Sequence, residues 1–365
     1  MPKILYICLL CTAISACEKD DINANRSPWE ASLDREGPVV SCEDAFPGWK
    51  VTILPAPQPQ VIHDVDFLNG EVGFIAGNEG YLGLTTDGAE TWTRFERGFT
   101  NASLKAVVAV NRDTVYAAGG WERVGSEQVP GAIMLHTTDG GSTLSKRNLD
   151  TIVEVRDLYF EDGESGYAIA QVDSAGQPPS LFRVTDAGET WTLLDKADTF
   201  WLLEFAEVEG RLAAVGIAGM LLHTADGSEW EPISFPTSFR WGPFFDGGSI
   251  GFGHETVTSF ESDTLFRTTD GGRNWNPVPG PVPSSNLSYL APDGHGIIIN
   301  PRYEVIGGDV LSPIGLHIYT TVDAGLSWEL RKTSGNCGLG TILWEITPDK
   351  VLGIGPETLL LERDN

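Results

Sequence analysis

Six segments of the chain place an aspartate in a turn just ahead of a strand-like run, and carboxylates are groups that can do chemistry. The segments, called boxes below, are TTDGAETW (85–92), TTDGGSTL (137–144), VTDAGETW (184–191), TADGSEW (224–230), TTDGGRNW (268–275) and TVDAGLSW (321–328). An aspartate can serve as a general acid, a nucleophile or a metal ligand. Six copies of one catalytic group make little chemical sense, and each box has too few aspartates for a calcium loop. The boxes are therefore predicted to be structural.

The residue types in a box fit such a structural role. Glycine supplies the positive φ that a tight turn needs, and an aspartate carboxylate accepts hydrogen bonds from turn amides. The tryptophan that opens the next strand offers a large ring for packing between neighbouring elements. The residues assigned to this role are Asp87, Trp92, Asp139, Asp186, Trp191, Asp226, Trp230, Asp270, Trp275, Asp323 and Trp328.

The spacing of the boxes indicates the elements that position them. Successive box aspartates are 52, 47, 40, 44 and 53 residues apart, a period typical of propeller blades. Between the boxes lie short runs rich in β-branched and aromatic residues, bounded by Gly, Asn or Asp. In the first unit these runs are VIHDVDF (61–67), GFIAG (73–77), YLGLTT (81–86) and TWTRF (91–95). The pattern predicts an all-β propeller whose blades are four-stranded antiparallel sheets.

The boxes resemble Asp-box (BNR) repeats, whose pattern is Ser/Thr-x-Asp-x-Gly-x-Ser/Thr-Trp. The box at 321–328 matches this pattern in full, whereas others depart from it at Ala89, Leu144 and Val184, and the fourth box is one residue short. The DGG-x-x-W form is most similar to propellers that resemble photosystem II assembly factors, and more distantly to sialidase and sortilin propellers. The resemblance covers roughly residues 48–362. It implies a propeller fold and, through the assembly factors, scaffolding rather than chemistry.

The two ends of the chain predict seven blades. After the last box, TILWEIT (341–347), VLGIG (351–355) and ETLLLE (357–362) supply only three strands. The run GWKVTIL (48–54) has a tryptophan followed by alternating residues, like the strand after each box. We expect this N-terminal strand to complete the last blade and close the ring, which removes its free edges.

Two of the cysteines are predicted to form a disulfide in an exported protein. Cys42 and Cys337 flank the predicted closing blade, and two thiols left in an oxidising compartment usually pair. A bridge between them would cross-link most of the chain. Two buried free thiols are the alternative.

The N-terminal residues predict a lipoprotein of the cell envelope. A short basic start and an apolar run precede Ile14-Ser15-Ala16-Cys17, which resembles a bacterial lipobox. An ordinary signal peptide cut near Ala16 is the alternative. The EKDD after Cys17 resembles the export signal of surface lipoproteins in Bacteroidetes, which implies the outer membrane. The expected domains are a signal peptide (1–16), a tether (17–47) lipidated at Cys17, and one propeller (48–365).

The net charge of the chain limits the classes of partner that it can bind. With 51 acidic and 24 basic residues, the net charge is −27, so phosphate backbones and anionic head groups are repelled. We expect no nucleic-acid partner and membrane contact through the lipid alone. No motif indicates a cofactor, and a monomer is expected. His136 and His223 share one repeat position rather than metal-ligand spacing, so no metal site is predicted.

Function is expected on the face opposite the boxes, where the inner strands begin and long loops connect the second and third strands. Four such loops are long: 121–130, 171–180, 255–263 and 301–313. Aligning the units on Phe67, Phe160, Phe205 and Phe245 puts His63, Arg156, Trp201 and Trp241 in one ring position. The ligand-binding candidates are His63, Lys105, Trp121, Arg123, Arg156, Trp201, Arg240, Trp241, Arg302, Tyr303 and Trp344.

Two functions remain open at this point. Cations and aromatic rings at the mouth of the channel could bind an anionic or sugar-like group. The same tryptophans could instead fill the channel, and the basic residues could pair with Asp64, Asp66 or Asp157. The favoured function is a non-catalytic binding or assembly scaffold for a protein or glycan. The alternative is a sialidase- or glucanase-like glycoside hydrolase, for which Arg156, Arg302 and Tyr303 have suitable side chains but no diagnostic spacing.

Overall fold

Seven sheets, each built mainly from four antiparallel strands, are arranged as the blades of a propeller. The computed structural model describes residues 38–55, 61–95, 98–172, 177–195, 200–224, 229–239, 242–255, 264–281, 288–306, 310–334, 337, 343–354 and 357–363. Within these ranges no helix is long and apolar enough to cross a membrane. The predicted all-β, seven-bladed fold is confirmed.

The strands of the first four blades follow one another along the chain. Blade 1 contains β3 (Ile62–Phe67), β4 (Gly73–Gly77), β5 (Tyr81–Thr85) and β6 (Thr93–Arg94). Blade 2 contains β7 (Leu104–Ala109), β8 (Val115–Gly119), β11 (Ala132–Thr137) and β12 (Ser145–Leu149), with a small hairpin of β9 (Arg123–Val124) and β10 (Glu127–Gln128) inserted. Blade 3 contains β13 (Glu154–Phe160), β14 (Gly166–Gln171), β15 (Ser180–Thr185) and β16 (Thr190–Asp195). Blade 4 contains β17 (Leu202–Val208), β18 (Arg211–Gly216), β19 (Gly219–His223) and β20 (Trp230–Ser234).

The remaining blades include both ends of the described chain. Blade 5 contains β21 (Phe244–Phe245), β22 (Gly251–His254), β23 (Leu265–Thr268) and β24 (Asn276–Val278). Blade 6 contains β25 (Ser288–Leu290), β26 (Gly296–Ile306), β27 (Val310–Thr321) and β28 (Glu329–Thr333), with β1 (Val39–Val40) at its edge. Blade 7 contains β29 (Leu343–Thr347), β30 (Lys350–Ile354), β31 (Glu357–Arg363) and β2 (Trp49–Pro55). Single 3-10 turns occur at Glu43–Ala45 and Asp186–Gly188.

The ring is closed by the N-terminal strand, as predicted. Strand β2 pairs antiparallel with β31 from Trp49, opposite Arg363, to Pro55. The Trp49 ring is 6% exposed and packs edge-on against Tyr289 of blade 6, with ring centroids 6.2 Å apart. The Tyr289 hydroxyl donates to the Pro348 carbonyl of blade 7 at 2.9 Å. The closing strand therefore contributes to the core between the last two blades as well as to its own sheet.

Residues 38–47, which the sequence assigns to the tether, lie on the propeller. Strand β1 adds to blade 6 as a fifth strand, parallel to β28, and pairs Val39 with Lys332. Ala45 and Phe46 are buried in the same core cluster as Trp49. Val40 packs against this cluster, whereas Val39 is 62% exposed, so Ala45, Phe46 and Val40 supply the apolar burial that holds this segment on the propeller. The structure joins Cys42 to Cys337, with Cα atoms 5.6 Å apart.

The boxes have one recurring hydrogen-bond pattern. In the first, the Thr85 hydroxyl donates to Asp87 Oδ1 at 2.7 Å, and Asp87 accepts the Thr91 main-chain N–H at 2.9 Å and the Thr91 hydroxyl at 2.5 Å. The same arrangement recurs around Asp139, Asp270 and Asp323. The carboxylates are thus occupied by their own turns, as expected for a structural role.

Two boxes differ from this pattern or fall outside it. In the third box, Val184 has no hydroxyl, and the turn adopts a 3-10 conformation in which Asp186 and Ala187 both have positive φ. Asp186 still accepts the Thr190 hydroxyl at 2.7 Å. Asp226 of the fourth box lies outside the described residues, whereas Trp230 packs edge-on against Tyr167 of blade 3 at 5.1 Å.

Each box also contacts the preceding blade. A Cβ added to Gly325, at φ +74°, would lie 2.2 Å from Phe252 of blade 5. A Cβ added to Gly141 would lie 2.6 Å from Phe95 of blade 1. Such distances leave no room for a side chain. In these two boxes the glycine is therefore required by the packing between blades as well as by the turn.

One predicted loop is a β-hairpin instead. Residues 301–313, expected to be a long loop, continue as strands β26 and β27, which pair from Gly296–Thr321 to Ile306–Val310 with one bulge at Arg302/Tyr303. The segment contains Tyr303, Val305 and Val310, residue types that favour extended pairing. Because β26 and β27 have 11 and 12 residues, this hairpin extends well beyond the other blades.

Candidate functional site

The two faces of the disc are built differently. The box face carries the boxes together with tight turns between the first and second strands of each blade. In these turns Asn69, Asn111, Asp162 and Asp246 accept main-chain N–H groups through their side chains. In the five boxes that the structure describes, the amide after the aspartate bonds to the neighbouring turn, as from Gly88 to the Glu71 carbonyl at 2.8 Å. The box face is thus a layer of short turns bonded to one another.

The opposite side, called the mouth face, carries the starts of the inner strands. In blades 1 to 4 each inner strand has a β-bulge near its start, and bulges commonly re-aim side chains. The bulged residues are His63, Lys105, Arg156 and Leu203. Three of the four are basic, and His63, Lys105 and Arg156 all line the central channel.

Trp201 does not belong to this ring position, and Leu203 takes its place. The inner-strand phenylalanines Phe67, Phe160 and Phe245 each pair with a second-strand glycine, whereas Phe205 pairs with Ala214. Phe205 is therefore two residues out of register with the others, and so is Trp201. Trp201 precedes β17 on the mouth face, 36% exposed, with φ 51°.

The side chains of five other ligand-binding candidates lie outside the described part of the structure. Arg240 and Trp241 lie outside the described residues. Arg302 and Tyr303 belong to β26 and Trp344 to β29, with main-chain partners Gly315, Pro313 and Leu352, but their side chains are outside the described set.

Carboxylates line the channel, where they bond adjacent blades together. Asp64 accepts the Val107 amide of blade 2 at 2.7 Å, and Asp157 accepts the Phe205 amide of blade 4 at 2.6 Å. Asp66 accepts the Ala109 amide at 2.7 Å. The channel has a volume of about 520 Å³. Because these oxygens already bond main-chain amides, the geometry does not favour the glycoside hydrolase alternative.

The channel environment also raises the pKa of carboxyl groups that line it. Burial raises the pKa of Asp157 to about 7 and that of Glu204 to about 7. The pKa of Asp64 is raised well above its usual range, first by burial and then by the nearby charge of Asp157. The lumen therefore holds part of its carboxyl groups protonated near neutral pH.

A wide cavity opens on the mouth face between blades 1 and 2. It has a volume of about 1020 Å³ and is lined by residues that include Arg94, Asn101, Lys105, Trp121, Arg123 and Glu154. It is called the groove below. The groove runs from the outermost strand of blade 1 to the inner strands of blades 2 and 3, and three of the predicted candidates, Lys105, Trp121 and Arg123, meet in its wall.

A polar network forms the inner end of the groove. His63 Nε2 lies 2.7 Å from Asn78 Oδ1, 3.0 Å from Ser103 Oγ and 3.2 Å from Lys105 Nζ. Burial lowers the pKa of His63, and the Lys105 charge lowers it further, against the raising effect of the Asn78 hydrogen bond. Burial also lowers the pKa of Lys105. The lowered pKa favours the neutral imidazole of His63, and burial shifts the pKa of Lys105 in the same direction while the nearby charge of Glu154 opposes that shift.

The outer wall of the groove is the β9–β10 hairpin. Asn101 fixes it by donating to the Arg123 carbonyl at 2.7 Å and accepting the Arg123 amide at 2.8 Å. The Arg123 guanidinium lies over the Trp121 ring at 5.0 Å, and Arg94 lies over Tyr81 at 4.9 Å. Arg156, at the edge of the channel, is 3.8 Å from Glu154.

The remaining histidine candidates have packing roles. His136 stacks on Tyr116 with ring centroids 4.2 Å apart, and His223 packs against Trp230 at 4.8 Å. Among the described residues, no group of three or more histidine, cysteine or acidic side chains is arranged to hold a metal.

Sequence reasoning missed Asn78, Ser103 and Asn101, which the fold brings to the groove. Asn78 lies in the β4–β5 turn, and Ser103 and Asn101 lie in the connection to β7. A usable signal was present, because Ser103 stands two residues before Lys105 and extended chains place residues i and i+2 on one side.

Comparison with known proteins confirms the predicted resemblance to assembly-factor propellers. No protein-family profile matches the chain. It is 24% identical over 340 residues to "Photosystem II assembly lipoprotein Ycf48" of Synechococcus sp. (strain CC9902), covering 82% of this chain and 94% of that protein. Among solved structures, YCF48 bound to D1 peptide aligns with a TM-score of 0.61 at 18% identity, covering 90% of this chain and 98% of that one. YCF48 from Cyanidioschyzon merolae aligns with a TM-score of 0.59 at 14% identity, covering 86% and 98%. At these identities the solved structures show the shared fold.

Proposed function

We propose that this protein is a non-catalytic scaffold of the cell envelope that binds a protein partner through its mouth face. The observation that carries the proposal is the groove between blades 1 and 2. It is wide, open and lined by charged and aromatic side chains. The box face offers only short turns that bond to one another. Binding sites on rigid scaffolds are usually formed by longer connecting segments, and the segment with the β9–β10 hairpin that walls the groove is one of these.

The comparisons support this proposal. The Synechococcus relative is an assembly lipoprotein by name, and one of the similar propellers was solved with a bound peptide. A partner of this chain is proposed to be an envelope protein, because the residues around Cys17 resemble those of bacterial surface lipoproteins. The photosystem itself is not carried over to this chain.

Anchoring and closure complete the proposal. Residues 1–16 serve as the signal peptide and Cys17 carries the lipid, which places the propeller at the outer membrane. A bridge between Cys42 and Cys337 holds the N-terminal strand to the last blade after export. The chain acts as a monomer without a cofactor.

Site-specific photo-cross-linking in the native host tests the proposed binding face. Val124 on the β9–β10 hairpin and Leu326 in the last box are each 68% exposed, so the two positions differ in face but not in accessibility. A photoreactive amino acid at Val124 is expected to yield a discrete adduct with another polypeptide, and the same residue at Leu326 is not. Absence of an adduct at Val124, or the same adduct at both positions, contradicts the proposal.

A further inference from the structure

The groove brings together three cations, Lys105, Arg123 and Arg94, and two glutamates, Glu79 and Glu154. Arginines elsewhere commonly contact carboxylates, such as Arg147 with Glu189 and Arg273 with Glu209, both at 2.9 Å. In the part of the chain that the structure describes, Lys105, Arg123 and Arg94 have no carboxylate oxygen within 4 Å. They contact an imidazole, an aromatic ring or a main-chain carbonyl instead. In a chain of net charge −27, three such cations in one cavity are an exception.

Lys105 is the innermost of these cations and the most confined. Its amine is half-buried, and Nζ lies 3.2 Å from His63 Nε2, the nitrogen that faces Asn78 Oδ1 at 2.7 Å. Ser103 and Asn78, which complete the network, are uncharged. Glu154 in the same wall attracts the Lys105 charge and is also 3.8 Å from Arg156. An anionic oxygen from a ligand would give the Lys105 ammonium a direct charged acceptor.

The shape of the groove indicates what carries that oxygen. It extends from Arg94 on the outermost strand of blade 1 to Lys105 at the start of an inner strand, a width of three strand spacings, or about 14 Å. An extended peptide covers that length in about four residues. The hairpin that forms the wall has strands of only two residues each, and its exposed Val124 and half-buried Trp121 offer apolar contacts. A peptide fits these features better than a compact anion does.

We propose that the groove binds an extended acidic peptide segment, with one carboxylate between Lys105 and Arg123 and a second, four residues away, near Arg94. This inference rests on the proposed function and names the chemistry of the partner. Lys105 donates to the first carboxylate at the inner end. The guanidinium of Arg123, held flat on Trp121, donates from its edge.

A pair of fluorescent pentapeptides tests the inference with the full-length protein in detergent micelles. The probes are EVSVE and its uncharged counterpart QVSVQ, with fluorescence anisotropy as the measurement. EVSVE is expected to bind at least tenfold more tightly than QVSVQ, and its affinity to fall with added salt. Equal affinities for the two peptides overturn the proposal.

Substitutions of groove residues test whether the peptide binds in the groove. Lys105→Met and Arg123→Ala are each expected to weaken EVSVE binding about tenfold. Lys105→Arg keeps the charge and is expected to retain most of the affinity. Arg112→Ala is the matched control, because Arg112 lies in an exposed turn of the same blade on the box face and should have no effect. Circular dichroism checks that each variant folds. Unchanged affinity in Arg123→Ala, whose side chain is exposed, overturns the proposal even if the lysine variants misfold.

A different ligand class is tested in parallel. If tri-galacturonate binds in a Lys105-dependent manner and EVSVE does not, the carboxylate belongs to an acidic glycan and the peptide assignment is wrong. The cross-linking at Val124 separates this failure from failure of the proposed function. A polypeptide adduct at Val124 that Lys105→Met leaves unchanged keeps the binding face but overturns the acidic-peptide site.

Discussion

Asp157 of blade 3 accepts the main-chain N–H of Phe205 in blade 4 at a distance of 2.6 Å. Asp64 repeats the contact with Val107 between blades 1 and 2. Adjacent inner strands of a propeller do not share a ladder of main-chain hydrogen bonds, so these side chains supply a polar link between neighbouring sheets beside the channel.

The first prediction concerns this link. Asp157→Ala removes the acceptor for the Phe205 and Leu158 amides, and we expect it to lower the free energy of unfolding by about 2 kcal/mol. Urea denaturation followed by tryptophan fluorescence measures the change. Asp150→Ala, in the exposed turn that connects blade 2 to blade 3, is the control and should stay within about 0.5 kcal/mol of the wild type. Equal effects of the two substitutions would show that the inter-blade contact is energetically silent.

The second prediction concerns pH. Burial in the channel raises the pKa of Glu204 from 4.5 to about 7. A carboxyl whose pKa is raised by folding stabilises the folded state fully below its unfolded pKa, and this contribution is lost as the pH rises through the folded value. Glu204→Gln should therefore match the wild type at pH 4.5 and melt about 1–2 °C higher at pH 8, a small effect because the Glu204 residue is exposed on the channel side of its strand.

Differential scanning calorimetry between pH 4.5 and pH 8 measures that difference. Glu164→Gln, on an exposed turn of blade 3, is the matched control and should leave the pH dependence unchanged. A wild-type protein that gains stability relative to Glu204→Gln as the pH rises would reverse the expected sign and exclude a raised pKa at Glu204.

The third prediction separates packing from turn conformation at a box glycine. Gly325 and Gly210 have similar φ angles, +74° and +69°, but a Cβ would meet Phe252 at 2.2 Å in the first case and no atom within 4 Å in the second. Gly210→Ala should cost about 1 kcal/mol, from backbone strain alone. Gly325→Ala should cost about 2–3 kcal/mol more, because the neighbouring blade must shift. Similar losses from both would leave only the turn as the reason for the box glycine.

The fourth prediction concerns Cys42 and Cys337, whose Cα atoms are 5.6 Å apart. We expect a disulfide in the exported protein, visible by mass spectrometry as a cross-linked peptide pair under non-reducing conditions. Its loop spans nearly the whole propeller, so reduction should lower the stability by about 3–5 kcal/mol. A Cys42→Ser/Cys337→Ser variant should be less stable and indifferent to reductant. Two alkylatable thiols in protein taken directly from the envelope would exclude the bridge.

The repeats made the fold predictable, whereas the groove required three-dimensional information. Box spacing, the strand pattern and the unpaired run 48–54 were enough to predict seven blades and the closing strand. The alignment of the units on Phe205 was wrong. The residue that marks the same inner-strand position is a phenylalanine paired with a second-strand glycine, as Phe67 is with Gly73. This pairing cannot be read from the sequence. Asn78 and Ser103 are 25 residues apart, in two connections whose proximity follows from the packing of blades 1 and 2.

The direction of β1 has a consequence for the open edge of blade 6. Strand β28 starts at the last box, and β1 runs parallel to it, with Val39 beside Lys332 and Val40 beside Thr333. Strand β28 is the outermost of the four strands of its blade, and β1 covers part of the main-chain edge that β28 would otherwise present. A short parallel strand in this position limits edge-to-edge pairing of blade 6 with a strand of another molecule.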